Sequence, residues 1–268
     1  MKNSVYKKFG QILLPLVVII LVFSTGNGFQ SQEQKQEHQI EKAKIFQEIY
    51  PIVSESDLYC SFIILDDKNL DLKITGGERE YERVLFGESD TVYINKGKSE
   101  GLQEGMLFLI LEVGPKVKDF GHIAFKRGKA MITAVEERKA AARVEKACGE
   151  VRIGQFMIPF EEKEGLLGKD LGYDVPPVEA EGARGSFIYL QREYNQIGSG
   201  GWALIDLGEE DGLYFGQQLI IYRIVEEGAP IQVLGNLVVI DVQKRTATIK
   251  VLSCKDVVML GDRVQTRT

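Results

Sequence analysis

Two glycine-rich segments have the spacing that most invites a chemical reading. Residues Gly97, Gly101, Leu102 and Gly105 repeat as Gly208, Gly212, Leu213 and Gly216, a Gly-x3-Gly-Leu-x2-Gly pattern. A glycine loop that cradles a phosphate needs a preceding strand, a Lys-Ser/Thr pair and a following helix whose N–H groups meet the anion. Neither copy ends in Lys-Ser/Thr, and an apolar strand-like run follows each. The expectation is a structural turn motif, with glycines at positive φ and Leu102 and Leu213 plugging the core beneath.

Other reactive residue types are scattered. His38 stands in a polar stretch and His122 before Ile123, neither with a carboxylate or cysteine at ligand spacing. Ser199 sits in Gly198-Ser-Gly-Gly201, which lacks the Gly-x-Ser-x-Gly spacing of a nucleophile elbow. The acidic runs Glu161-Glu162, Glu209-Glu210-Asp211 and Glu226-Glu227 read as solvated faces. Two His and three Cys are too few for a convincing zinc site. No catalytic set, cofactor or metal is expected, and the chain reads as a non-enzyme.

The elements that carry these residues are duplicated. Ile94 to Gly105 match Ile205 to Gly216 at an offset of 111. Gly128, Val135, Arg138, Ala140, Val144, Val151 and Gly154 match Gly235, Val242, Arg245, Ala247, Val251, Val258 and Gly261 at an offset of 107. Upstream, Ser61-Phe62-Ile63 matches Ser186-Phe187-Ile188, which leaves about 14 extra residues near 66–81 in the first copy. Short Val/Ile/Leu-rich runs at 92–94, 106–113, 130–135 and 140–144 recur at 203–205, 218–225, 237–242 and 247–252. Their length and the turn signals between them predict strands, with 136–139 and 243–246 as four-residue hairpin connections. The fold class is therefore all-β: two tandem small barrel-like or sandwich-like domains of one duplicated module.

The ends and joints differ from the modules. Lys2, Lys7 and Lys8, an apolar stretch at 12–23 and small residues at 24–28 read as a signal peptide over 1–28, cut after Gly26 or Gly28. About twelve apolar residues fall short of the roughly 20 that span a bilayer, so no membrane span is expected after its removal. That removal takes away three lysines and no acid, lowering the formal charge from −6 to −9. Nucleic acid is an unlikely partner for so acidic a chain. A helix with a modest apolar stripe is expected over 30–50, stopped by Pro51, within an N-terminal region of 29–56. Module A spans 57–160, an acidic, Pro176-Pro177-containing linker 161–182, and module B 183–268. Export permits disulfides: a Cys60–Cys148 bridge would close module A and leave Cys254 free, with buried free cysteines as the alternative. Trp202, Tyr189, Tyr194, Tyr214, Phe215 and Tyr222 enrich module B in aromatics, and Trp202, Tyr214 and Phe215 are candidate interaction residues.

The line Ile205-Asp-x-Gly-x-x-Asp-Gly-Leu-x-x-Gly216, then Gly235-x-Leu-x-Val, Ala247-Thr-x-x-Val and Gly261-Asp262-Arg-Val264, resembles a known β module. It is similar to the C-terminal domain of the flagellar assembly protein T family and to modules beside LysM domains in exported bacterial proteins. The barrel of rod-shape-determining protein C is a more distant likeness. Module A departs at its end, with Gln155-Phe156 where Asp262-Arg263 stand in module B. The resemblance implies a non-catalytic, periplasmic or secreted envelope protein whose modules act as scaffold or assembly surfaces for envelope proteins. Two modules on one chain would gain avidity for a repeated partner. Peptidoglycan binding through the aromatics of module B is the alternative.

Overall fold

The computed structural model describes residues 49–65, 70–78, 84–173, 182–226 and 230–267. The signal segment expected at 1–28 and residues 30–48 of the expected helix lie outside them. No helix among the described residues is long and apolar enough to cross a membrane. The described end of the 29–56 region opens as a strand, β1 (Tyr50–Val53), rather than as the end of a helix. Pro51 lacks an N–H and β-branched Ile52 and Val53 favour extended backbone, so Tyr50 joins a strand.

A short helix, α1 (Glu55–Cys60), starts only at Ser54. The Ser54 hydroxyl accepts from the Asp57 amide at 3.3 Å and the Asp57 carboxylate accepts from the Ser54 amide at 2.8 Å, a reciprocal cap. The chain then runs into β2 (Phe62–Leu65), β3 (Ile74–Gly77), β4 (Leu85–Phe86), β5 (Thr91–Ile94), β6 (Leu107–Val117), β7 (Gly121–Val135), β8 (Ala140–Ala147), β9 (Val151–Arg152), β10 (Phe156–Pro159) and β11 (Leu166–Gly168). The second half comprises β12 (Arg184–Leu190), β13 (Gln196–Ile197), β14 (Trp202–Ile205), β15 (Gln218–Arg223), β16 (Gln232–Val242), β17 (Ala247–Cys254), β18 (Val258–Met259) and β19 (Arg263–Thr266). The fold is all-β, and the turns at 136–139 and 243–246 connect hairpins as the sequence predicts.

In the second half, β12-β14-β17-β16-β15-β19 closes into a six-stranded barrel, with β12 pairing both β14 and β19. Inward residues such as Phe187, Ile205, Leu219, Ile221, Leu237, Val239 and Ile249 fill it. Outward positions alternate with them, as the two-residue strand period requires. The first half runs β10-β6-β7-β8-β5-β3 around a core of Ile74, Val92, Ile94, Phe108, Ile110 and Ile132. Its two ends meet at a single bridge, Lys73 with Phe156, flanked by Ile74 N–H to Gln155 and Met157 N–H to Leu72.

This corrects one sequence match. The strand opposite β12 is β3, not the Ser61-Phe62-Ile63 segment. Ile74 pairs with Ile94 as Phe187 pairs with Ile205. The Lys73 amide donates to the Asn95 side chain at 2.8 Å as Ser186 donates to Asp206 at 2.5 Å. β2 instead adds to the outer half of β7, pairing Phe62 with Phe125 and Leu65 with His122. The reason is that a barrel position selects one inward apolar residue and one polar turn partner, which Ile74 and Asn95 satisfy without resembling Ser-Phe-Ile.

The end of the first barrel also departs from the second, with compensation. Arg223 grips Asp262 with two nitrogens, at 2.7 and 2.8 Å. At the corresponding places stand Glu112 and Gln155, so the acid changes sides and its partner becomes a neutral amide, 3.4 Å away. Both Gln155 and Asp262 still accept a backbone N–H three residues upstream, from Arg152 and Met259.

Residues Ile45–Thr268 form one compact unit. Within the segment expected as an extended linker, β11 pairs antiparallel with β1, and Leu166 packs beside Ile52, Val53, Val238 and Ile240. Gln218 then holds the next turn, accepting from the Leu171 amide at 3.0 Å and donating to the Lys169 carbonyl at 2.8 Å. Residues 174–181, with the two prolines, lie outside the description.

Candidate functional site

The glycine loops are built the same way twice. Gly101 and Gly212 take φ of +86° and +79°, and Gly105 and Gly216 +85° and +83°, so these four occupy left-handed backbone. Gly97 and Gly208 do not: their φ values are −143° and −145°. Space selects them instead, since a Cβ would lie 2.2 Å from the Glu136 carbonyl oxygen and 2.3 Å from that of Gln243.

The loop amides point into the protein. Lys98 and Ser99 N–H donate to Glu136 and Glu137 carbonyls, and Glu209 and Glu210 N–H to those of Gln243 and Lys244, at 2.9–3.1 Å. Gly97 and Gly208 N–H donate to the carboxylates of Glu100 and Asp211, both at 2.9 Å. Donors occupied in this way fasten each loop to the neighbouring hairpin and are not free to cradle a phosphate. Leu102 and Leu213 are buried under the loops, worth about 1.5–3 kcal/mol each. This arrangement is a clasp that pins each loop to its neighbouring hairpin over a buried leucine.

The densest polar constellation lies elsewhere, where β1, α1 and β2 wedge against the second barrel. Asp57 is only 4% exposed. Its carboxylate accepts from Lys250 Nζ at 2.7 Å, from the Trp202 indole N–H at 2.9 Å and from the Ser54 amide at 2.8 Å. Burial alone would push this carboxyl up, but the hydrogen bonds from Lys250, Ser54 and Trp202 outweigh it and hold it below the ordinary carboxylate value. A buried cation, Lys126, donates to the Leu58 carbonyl at the end of α1 and to Asp241, both at 2.8 Å. A cation there answers the unpaired carbonyls at the helix C-terminus. Thr248 Oγ1 donates to the Phe62 carbonyl at 2.8 Å. Phe62 and Ile64 pack with Tyr189 and Leu204, while Ile52 and Leu58 pack with Val238 and Ile240. These bonds fix the N-terminal segment across both barrels.

Trp202 is therefore engaged by the chain itself, its polar edge tied to Asp57 and its ring between two apolar clusters. Phe215 is partly buried beside Val238 and Ile240. Tyr214 alone of the three candidate aromatics stands in solvent, at 63% exposure. The structure joins Cys60 to Cys148, with Cα atoms 5.3 Å apart, and leaves Cys254 as a free thiol 3.6 Å from the Ser199 hydroxyl. His122 Nδ1 faces the Gly114 carbonyl at 3.2 Å, and His38 lies outside the described residues. No group of three metal-ligating side chains occurs among the described residues.

Sequence reasoning missed Asp57, Lys126, Asp241 and Lys250. The Ser54-x-x-Asp57 spacing signals the cap. Lys126 in His-Ile-Ala-Phe-Lys and Asp241 in Val-Val-Ile-Asp-Val are charges inside strand-like apolar runs, a mark of charges held by a partner. No protein-family model matches the chain, and no curated protein matches its sequence.

Proposed function

We propose that the chain is an exported, non-catalytic cell-envelope protein that serves as a scaffold or assembly module. One observation carries this reading: the closed second barrel and the sheet of the first half, which share a strand order, are tied together by the part-buried Asp57–Lys250–Trp202 and Lys126–Asp241 contacts. A body held together in this way keeps fixed spacing between its outer faces, which suits docking to other proteins. The Asp57 and Lys126 contacts tie the N-terminal segment and the first half to the second barrel. The basic-then-apolar N-terminus supports export, and the Cys60–Cys148 bridge fits an oxidising compartment. In-cell crosslinking followed by mass spectrometry tests the proposal. Recurrent envelope proteins in the catch are the expected result, and an empty catch would overturn it. Exposed Tyr214 keeps the peptidoglycan alternative testable, since retention on isolated sacculi abolished by Tyr214→Ala would favour it.

A further inference from the structure

The two halves finish their seams differently. In the second barrel β12 and β19 stay together to the end: the Thr266 amide donates to the Ala183 carbonyl at 3.1 Å, and Thr266 Oγ1 accepts from the Ala183 amide at 3.0 Å. Pairing with the neighbouring strand, Phe108 with Pro159 and Leu219 with Thr266, puts Pro159 where Thr266 stands. Counting back from Ile74 and Phe187 puts Leu70 where Ala183 stands. Proline has no N–H to give to Leu70, so the seam of the first half stops one bond earlier, at Met157 N–H to the Leu72 carbonyl, 2.9 Å.

Beyond that bond a groove of about 690 Å³ opens, within the size range of ligand-binding clefts. Its floor is Leu72, Leu102, Phe108 and Met157, all members of the core, and Leu70 and the exposed Met106 form its lips. The rim is acidic: Asp71, Glu100 and Glu161 line it with one cation, Lys96. Lys96 stands where buried Leu207 stands in the second barrel, and it is already paired with Asp71. Three carboxylates against one engaged ammonium favour a cationic visitor and disfavour a fatty acid or a phosphate headgroup.

We propose that this groove takes an extended peptide segment of another envelope protein, with a large apolar side chain seated between Met106 and Met157 and a neighbouring Lys or Arg facing Glu161. This inference rests on the assembly reading above and gives it a docking site. An extended backbone brings the N–H that Pro159 cannot supply to the Leu70 carbonyl, as strand addition to a sheet edge does. Its apolar side chain covers core residues that the parted strands leave open, and its base answers the acidic rim. A lipid tail would cover the same floor but brings no donor for the seam.

Random heptapeptides displayed on phage and panned on the full chain supply the probe, and enriched peptides are resynthesised and titrated by fluorescence anisotropy. Enrichment of a large apolar residue beside Lys or Arg is expected. With methyl-labelled methionine, such a peptide should shift the NMR signals of Met106 and Met157 and leave that of Met259, in the second barrel, in place. Glu161→Lys reverses the rim and Pro159→Thr gives the seam its own N–H. Both positions are exposed, so neither variant should lose thermal stability, while each weakens the peptide by about tenfold or more. No enrichment over the unpanned library, enriched sequences without a base, or binders that ignore either variant overturn the proposal. Dodecanoate that shifts the same two methionines where no peptide does would make the groove a lipid site and overturn it as well. A failed panning, alongside envelope proteins crosslinked in cells, would remove this inference and leave the assembly reading standing.

Discussion

Replacing Asp57 by Ala should loosen the whole N-terminal wedge. The carboxylate is buried, its partner Lys250 keeps 19% of its side chain exposed, and the Trp202 indole N–H has it as acceptor. Removing one member of a buried pair costs about 3–5 kcal/mol, and the partial hydration left to Lys250 places this case near 3. The lost cap of α1 adds about 1 kcal/mol. A decrease of about 4 kcal/mol in unfolding free energy follows, read by urea denaturation. Trp202 is the single tryptophan of the chain, so its emission reports directly on the broken contact and should shift to the red as water reaches the ring. Asp57 also sets an acid sensitivity. Its folded-state pKa is depressed, so its contribution is complete above the ordinary carboxylate range near pH 4 and is lost as pH falls through the lower folded value. The wild type should lose stability relative to Asp57→Ala over that acid window. A loss below about 1 kcal/mol at neutral pH, with unchanged Trp202 emission, would show that Asp57 does not hold the wedge.

Three further outcomes follow from the same contacts. Gly97→Ala and Gly208→Ala should each cost about 1–3 kcal/mol because the new methyl meets backbone at 2.2–2.3 Å, whereas Gly101→Ala, with open space but positive φ, should cost about 1–2; urea titrations rank them. Alkylation of the unreduced, unfolded chain should label Cys254 alone, and reduction of the 88-residue-separated Cys60–Cys148 bridge should lower stability by about 4–5 kcal/mol in the loop-entropy picture; three labelled thiols would contradict the pairing. Arg223→Lys should destabilise by about 1–3 kcal/mol, because an ammonium cannot reproduce the two-nitrogen grip on buried Asp262, and a neutral result in thermal melts would argue against that fork.

What was legible in the sequence was local. Apolar runs broken by four polar residues at 136–139 and 243–246 give hairpins, and glycines at a fixed offset give the clasps, because each depends on neighbours within a few positions. What was hidden depends on distant partners. Asp57 meets Trp202 and Lys250 across 145 and 193 residues, and no local pattern encodes that. The same holds for Leu166, which reads as part of an acidic linker yet packs beside Val238 because β11 pairs with β1. Phe62 misled for a different reason. It resembles Phe187 in sequence, but the barrel position is filled by Ile74, and Phe62 sits outside the ring against Tyr189. Trp202 reads as a candidate interaction aromatic, but its indole N–H is tied to Asp57 and its ring packs against the clusters that α1 and β2 form with the second barrel, partners no local pattern encodes.

Crosslinking the native chain in living cells tests the proposed assembly role. The prediction is a reproducible set of captured envelope proteins. A catch without any protein, from cells in which the chain is abundant and folded, would contradict the assembly role and return attention to glycan binding at Tyr214.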